Sequence, residues 1–404
     1  MTTRLYYIDS HLFEFTATVL RCEENKGRWE AVLDETAFFP EGGGQPADTG
    51  ILGGVRVIDA HEKDGTVFHC CDGPLEPGAR VTGLIDREQR LRRMQNHSGE
   101  HILSGTAHRL YGCENVGFHM GDAAVVIDFD RELTREDLQR LETEANEAVR
   151  ANLPVRTFYP SPEELKQLEY RSKKELQGDV RIVEIPGVDR CACCAPHVSF
   201  TGEIGIIKVL SCERHRGGVR IEVVCGLDAL DNFNARQQSV TEISNLLSAK
   251  RGEITSAVEH LMKERDELKY SLAAAERRLT TVLADAVSET DGNLLFFNFS
   301  AAALDGTPEA PEAGVSDSTN ILKSDVAQRE LVNLLVPKCK GMAAVFAGSD
   351  ETGYRYIIGS AHMDLRAKAR EINAALSGRG GGRPEMIMGS CTAPASAIHE
   401  YFSN

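Results

Sequence analysis

The sequence predicts an α+β protein built from several domains. Three observations carry this. Short alternating apolar runs, divided by glycine turns, fill the chain up to Ile85; an apolar repeat of seven runs from Val240 to Val282; strand-like and helix-like runs alternate after Asp291. They divide the chain into a β-barrel-like glycine-loop domain at 1–88, an α+β domain at 89–234, a long helical, coiled-coil-like arm at 235–290 and a terminal α/β domain at 291–404.

In order, Phe13 to Leu20 and Trp29 to Leu33 read as strands. Turn signals follow at Gly42-Gly43-Gly44 and Gly53-Gly54, and Val55 to His61, Thr66 to Cys71 and Arg80 to Ile85 repeat the strand pattern. Strands this short and this evenly spaced predict a barrel or sandwich. Arg87 to Leu110 has a helical period and few breakers, and Ala123 to Phe129 reads as a strand. Thr134 to Asn152 is a helix, with Thr134 as its cap and Asp137 as the acidic partner three residues on. Arg181 to Ile185, Ile204 to Ser211 and Val219 to Cys225 are strand-like.

Val240, Leu247, Ile254, Leu261, Leu268, Ala275 and Val282 then recur at steps of seven in a proline-free stretch. They predict the seam of one long helix, about 50 residues and roughly 70 Å at 1.5 Å per residue. Lys250, Glu264 and Arg278 occupy the second seam position, which disfavours a long parallel two-stranded coil and leaves a helical hairpin or an intermolecular pairing. Beyond the arm, Leu294 to Phe299, Met342 to Ala347 and Tyr354 to Ser360 are strand-like, and Val326 to Leu335 and Leu365 to Leu376 helix-like. Gly306 to Gly314 reads as a surface loop and Gly378 to Pro384 as an exposed glycine-rich turn.

The 404 residues are 42% hydrophobic and 26% charged, which excludes a disordered, collagenous or membrane-embedded chain. No apolar run reaches the ~18–20 residues of a bilayer span. Met1 to Phe15 has no apolar signal segment, and eleven dilute cysteines fit a reducing, cytoplasmic setting. The net charge of -16 excludes a generic nucleic-acid sponge, so any nucleic-acid partner must meet a local basic face. No G-x-x-x-x-G-K-[ST] element indicates a nucleotide engine.

Chemistry concentrates at three points. His97-Ser98-Gly99-Glu100-His101 places two imidazoles four apart on one helix face, a geometry that suits a first-row metal. Cys191-Ala192-Cys193-Cys194-Ala195-Pro196-His197 repeats the four-residue interval between Cys193 and His197. His97, His101, Cys193 and His197 together offer three nitrogens and one sulfur, a set that suits Zn2+. Phe38-Phe39-Pro40-Glu41-Gly42-Gly43-Gly44-Gln45-Pro46 is the third, with glycines that permit close backbone approach and an amide that donates and accepts.

These motifs resemble the editing domain of alanyl-tRNA synthetase and the alanyl-tRNA editing proteins. Asn96-His97-Ser98, Asp48-Thr49-Gly50, and the strand pair from Ile204 to Gly226 with Arg220-Ile221-Glu222 match in the same order. The long helix and the block from Arg379 to Pro384 resemble the coiled coil and C-terminal domain of the synthetase. The glycine loop begins at Gly42, so the resemblance implies the long free-standing form with no aminoacylation module ahead of it. One departure concerns the second ligand pair: where the family commonly has Cys-Gly-Gly-Thr-His, this chain has Cys193-Cys194-Ala195-Pro196-His197, and Cys191 and Cys194 become competing thiols.

The resemblance implies a zinc-dependent hydrolase that cuts serine or glycine from the 3′ end of alanine tRNA, in the cytoplasm and without a membrane. Pairing of two copies through the arm or the terminal domain stays open. For that hydrolysis the residues themselves offer Gln45 as a hydrogen-bonding group for substrate or terminal adenosine, Thr36 as a hydroxyl that senses a seryl side chain, and Glu100, at a variable position of the family motif, as general base. Gly43 and Gly44 would meet the nucleic acid through their backbone. Lys208, Arg214, Arg216 and Arg220, with Arg379 and Arg383, would meet its phosphates. Four protein ligands close a tetrahedral zinc site, so one candidate does not bind, the shell expands, or zinc holds the amino acid while water is activated elsewhere. Two other readings compete. His97-Ser98-Gly99-Glu100-His101 also fits the H-x-x-E-H signature of a metalloprotease, and a closed zinc site also fits a non-catalytic tRNA-binding module.

Overall fold

The computed structural model describes residues 1–25, 27–121, 123–172, 180–298, 300–302 and 324–403. They fall into two units, Met1–Ile243 and Ser244–Asn404. The first unit opens with β1 (Thr3–Arg4), β2 (Glu14–Asn25), β3 (Arg28–Leu33), β4 (Glu35–Thr36), β5 (Gly50–Leu52), β6 (Val55–Lys63), β7 (Thr66–Cys71) and β8 (Arg80–Ile85). Six of these close into a barrel in the order β2-β3-β7-β6-β5-β8. Strand alternation turns Phe15, Ala17, Val19, Ala31, Leu33, Leu52, Val57 and Cys71 inward, where they pack with Phe38. Closure leaves these strands no open edge, and the connection from β4 to β5 carries the Gly42–Gln45 loop.

The helix α1 (Arg87–Tyr111) follows directly. Asp86 caps it by accepting from the Gln89 amide, and Gly112 ends it in the left-handed conformation at φ 64°. It packs with α2 (Arg135–Arg150) on a sheet ordered β14-β15-β10-β9, formed by β9 (Asn115–Met120), β10 (Val125–Phe129), β14 (Ile207–His215) and β15 (Gly218–Cys225). Thr134 and Asp137 make the reciprocal capping box that their spacing predicts. A smaller sheet, β11 (Arg156–Phe158), β12 (Ile182–Ile185) and β13 (Asp189–Ala192), lies against α1, with the short α3 (Pro162–Gln167) after β11. Ile102, Leu103 and Ala107 of α1, Leu141 and Val149 of α2, and Ile127, Ile221 and Val223 of the sheet share one core. The strand expected from Ile204 starts at Ile207, because Thr201–Ile204 forms a 3-10 turn that Gly205 ends at φ 77°.

The single long helix predicted from the repeat of seven is two helices, α4 (Gly226–Leu246) and α5 (Ile254–Asp285). Ser248 adopts φ 50°, the Ala249 amide turns back to the Ser244 carbonyl, and Arg251–Glu253 makes a 3-10 turn before α5 begins. Leu261, Leu268 and Val282 of the expected seam are exposed.

The second unit builds one sheet in the order β17-β16-β18-β19-β21-β20 from β16 (Leu294–Phe297), β17 (Ser300–Ala302), β18 (Ala343–Ser349), β19 (Gly353–Gly359), β20 (Gly378–Arg383) and β21 (Met386–Cys391). Ala343, Val345 and Ile357 face α6 (Asp325–Leu335) and the end of α5. Ala344, Phe346, Tyr356 and Ile358 face α7 (Leu365–Ala375) and α8 (Ala395–Ser403). The run read as an exposed turn from Gly378 to Pro384 is therefore a strand, β20, paired antiparallel with β21. Gly380 serves close packing: a Cβ there would lie 2.5 Å from the Tyr356 hydroxyl. The loop expected at Gly306 to Gly314 lies outside the described residues. No helix among the described residues is long and apolar enough to cross a membrane.

Candidate metal centre

α1 carries His97 and His101 one turn apart on its buried face. The strap that leaves β13 brings Cys193 and His197 to the same point. Nε2 of His97 and Nε2 of His197 lie 3.5 and 3.4 Å from the Cys193 sulfur. Donor atoms of His97, His101, Cys193 and His197 all lie within 4.8 Å of one another. Segments nearly a hundred positions apart thus converge on one point.

Each imidazole is also gripped from behind. His97 Nδ1 donates to Gln45 Oε1 at 2.9 Å, His101 Nδ1 to Asp189 Oδ2 at 2.8 Å and His197 Nδ1 to Ser98 Oγ at 3.2 Å. A proton held at each Nδ1 leaves the Nε2 lone pairs free. Asp189 is itself fixed by Arg171, whose Nε and Nη2 donate at 2.8 and 2.9 Å. Arg181 Nη1 donates to the carbonyls of Cys193 and Ala195, both at 3.0 Å, and so shapes the strap.

The electrostatics fit a cation. Burial alone would raise the Cys193 thiol, but the imidazoles of His97, His197 and His101 hold it well below the usual thiol range. Burial works against a charged His101, yet the bonds to Asp189 and Cys193 push it up to about 10. Burial presses His197 down to about 3. A thiolate beside imidazoles is a site where a divalent cation replaces a proton. Three nitrogens and one sulfur in a tetrahedral reach, each imidazole oriented from outside, fit zinc. Cys193 is the thiol at the convergence. The Cys191 thiol is held near His101 and Asp189 and pushed up by burial, and Cys194 is exposed beside Gly42 and Gly43.

Other residues singled out in the sequence take different places. Gln45 is fully buried with its amide oxygen on His97, so it stands behind the imidazole, and its amide nitrogen has no partner among the described residues. Thr36 is also fully buried; its hydroxyl sits 2.8 Å from His69 Nε2 and accepts from the Phe38 amide. Glu100 is no solvated helix position. It is 1% exposed and accepts from Ser104 Oγ at 2.7 Å and from Asn115 Nδ2, with its other oxygen 3.9 Å from His101 Nε2. Gly43 and Gly44 adopt φ 62° and 84°, and a Cβ on Gly44 would lie 2.5 Å from Phe118, the ring packed 5.0 Å from His97. The basic stretch is largely paired: Lys208 with Glu142, Arg214 with Glu132 and Arg220 with Asp128, while Arg216 sits in a turn at φ 45°. Arg379 and Arg383 lie on β20 of the second unit, where Arg379 lines a cavity with Arg355 and Tyr356. The roles of Asp189, Ser98, Arg171 and Arg181 behind the ligands do not follow from the sequence; Ser98 belongs to the quoted Asn96-His97-Ser98 motif, and Asp189 has only its closeness to Cys191 as a signal.

Residues 180–222, which include Cys193 and His197, match the family described as the threonyl and alanyl tRNA synthetase second additional domain. Over 291 residues the chain is 32% identical to the alanyl-tRNA editing protein AlaX-L of Pyrococcus horikoshii, spanning 69% of this chain and 72% of that protein. It is 31% identical over 409 residues to the alanine–tRNA ligase of Methanothrix thermoacetophila, spanning 96% of this chain and 42% of the ligase. With the ligase of Halobacterium salinarum the identity is 36% over 301 residues, 68% of this chain and 32% of the ligase. The chain thus spans less than half the length of the ligases it matches.

Proposed function

Because the chain belongs to the family of the alanyl-tRNA editing proteins, we propose that it is a zinc-dependent hydrolase that removes serine or glycine wrongly attached to alanine tRNA. The observation that carries the reading is the convergence of His97, His101, Cys193 and His197, with Gln45 of the glycine loop gripping His97 from behind. These four side chains would hold Zn2+, and because four protein ligands fill a tetrahedral shell, a catalytic role requires that shell to expand or one ligand to let go. When bound, zinc supplies Lewis-acid chemistry, polarising a carbonyl or lowering the pKa of water to about 7.

The protein's own residues do the rest. Gln45, Asp189 and Ser98 orient the three imidazoles before the substrate arrives. Phe118 covers His97 on one side and restricts water there. Glu100, with one oxygen engaged by Ser104 and Asn115 and the other toward His101, is the general base of this proposal. Thr36, expected to sense a seryl hydroxyl, is instead engaged inside the barrel by His69 and the Phe38 amide, so it takes no part in the proposed chemistry. The partner is the charged tRNA, in the cytoplasm, and its phosphates are met by Arg216, Arg379 and Arg383 together with the paired Lys208, Arg214 and Arg220. Two copies can pair through the exposed face of α5 or the second unit.

The test is a deacylation assay with metal analysis. Purified protein should release serine from seryl-tRNA of the alanine type much faster than alanine from the correct pair, and His97→Ala and Cys193→Ala should each lower bound zinc. Equal release of both amino acids excludes editing, and full zinc in both variants rejects the ligand set. Zinc retained without any hydrolysis would favour a non-catalytic tRNA-binding module, which the four-donor shell also accommodates.

A further inference from the structure

An aromatic strip leads from the surface of the first unit toward the strap that carries Cys193. Tyr159 is 54% exposed, Tyr7 is half-buried and Tyr6 is buried. The ring centroids of Tyr159 and Tyr7 are 6.5 Å apart, and those of Tyr7 and Tyr6 are 4.6 Å apart. Two guanidinium groups lie over Tyr7, Arg181 at 5.0 Å and Arg4 at 5.8 Å from its centroid. Arg181 is the same residue that donates to the Cys193 and Ala195 carbonyls. Tyr6, Phe39 and Ala195 form a small buried cluster against which Tyr7 and Cys193 both pack. Tyr7 is therefore one layer of side chains from the metal centre. The Tyr6 hydroxyl is buried without a hydrogen-bond partner among the described residues.

We infer that this strip binds the unpaired nucleotides at the 3′ end of the charged tRNA, stacking a base on Tyr159 with Tyr7 and its two arginines as the support behind it; the inference rests on the function proposed above. The chemistry matches a single strand on three counts. Every base has a planar face that stacks on an aromatic ring whatever its sequence, and arginine beside the ring adds attraction for base and backbone. The rings pass from exposed to buried, as required of a strand whose last residue must enter a closed site while the preceding ones stay near solvent. Arg181 covers Tyr7 and ties that ring to the backbone of a metal-ligand residue, so a base seated on Tyr159, whose ring meets Tyr7, is registered against the centre where the ester must lie.

The test uses the full chain and a 5′-fluorescent RNA ending in ACCA, with binding read by anisotropy at fixed salt. Loss of one stacked base costs about tenfold in affinity, so Tyr159→Ala should bind about tenfold more weakly and Tyr7→Leu should also weaken binding. Tyr159→Trp should keep or tighten it, because stacking needs a ring and not a hydroxyl. Zinc content and the thermal transition show whether each variant folds, and Tyr159 is exposed enough for its removal to leave both unchanged. Equal affinity of wild type and a folded Tyr159→Ala overturns the inference, as does a wild type that does not bind the ACCA end. The deacylation assay on the same samples separates this from the function. Hydrolysis of seryl-tRNA with binding indifferent to Tyr159 removes the strip and keeps the editing reading. Binding that depends on Tyr159 without hydrolysis does the reverse.

Discussion

His69 is sealed inside the barrel with its Nδ1 donating to the Ala31 carbonyl at 3.1 Å and its Nε2 facing the Thr36 hydroxyl at 2.8 Å. Burial lowers its pKa from 6.5 to about 4. The folded state then holds fewer protons than the unfolded state between those two values, so stability falls as pH drops through that window. At roughly 1.4 kcal/mol per pH step the full loss is at most about 3 kcal/mol, of which about 2 kcal/mol is gone by pH 5. Urea unfolding at pH 7 and pH 5 should show a smaller decrease for His69→Gln, which keeps a partner for Thr36 and does not titrate there; parallel decreases would contradict this account. At this scale the sequence makes the metal-seeking side chains legible, because two pairs at four-residue intervals need few assumptions. The groups behind them were not legible. Gln45 reads as a group facing substrate, and only the direction of the Gly42–Gln45 loop turns its oxygen to His97.

Two glycines inside α1 reverse the usual rule for helices. A Cβ on Gly105 would lie 2.5 Å from the Val188 carbonyl and 2.6 Å from the Asp189 Cβ, so the missing side chain lets α1 press against β13. Gly→Ala within a helix ordinarily gains up to about 1 kcal/mol. Gly105→Ala should instead cost about 1–3 kcal/mol through overpacking and weaken zinc binding, because it pushes apart the helix of His101 and the strand of Asp189. Gly252→Ala, where nothing lies within 4 Å, is the matched control and should be neutral or slightly stabilising. Thermal unfolding and zinc titration of both variants check this, and a stabilised Gly105→Ala would count against the close approach. Periodicity located most elements before Ala235, because alternation and the 3.6-residue repeat report which side chains share a face. It missed the break at Ser248 for the same reason. The apolar steps at Leu247 and Ile254 continue across it, and a left-handed serine leaves no mark on a pattern of side chains. The glycines of β20 read as a turn because glycine signals both turning and close packing, and only Tyr356 decides between them.

Among the described residues, each of the large apolar cores is built within one unit. The barrel and the α1–α2 core belong to Met1–Ile243, and both faces of the six-stranded sheet are filled from within Ser244–Asn404. All four metal-seeking side chains lie in the first unit. Calorimetry should therefore resolve separate unfolding transitions, and removing zinc with a chelator should lower only the one belonging to the first unit. A single transition, or equal movement of both, would show that the units unfold together. Composition and charge could not foretell this division, since both units are acidic mixtures of helix and strand. One feature of the second sheet bears on behaviour in concentrated solution. β20 forms its margin, where α7 packs beside it and Asn373 Nδ2 donates to the Gly380 carbonyl at 3.0 Å. Arg379 and Arg383 line that margin, so two molecules approaching edge to edge would bring cation against cation. Part of the guard against runaway strand addition is thus electrical, and that part thins as ionic strength rises.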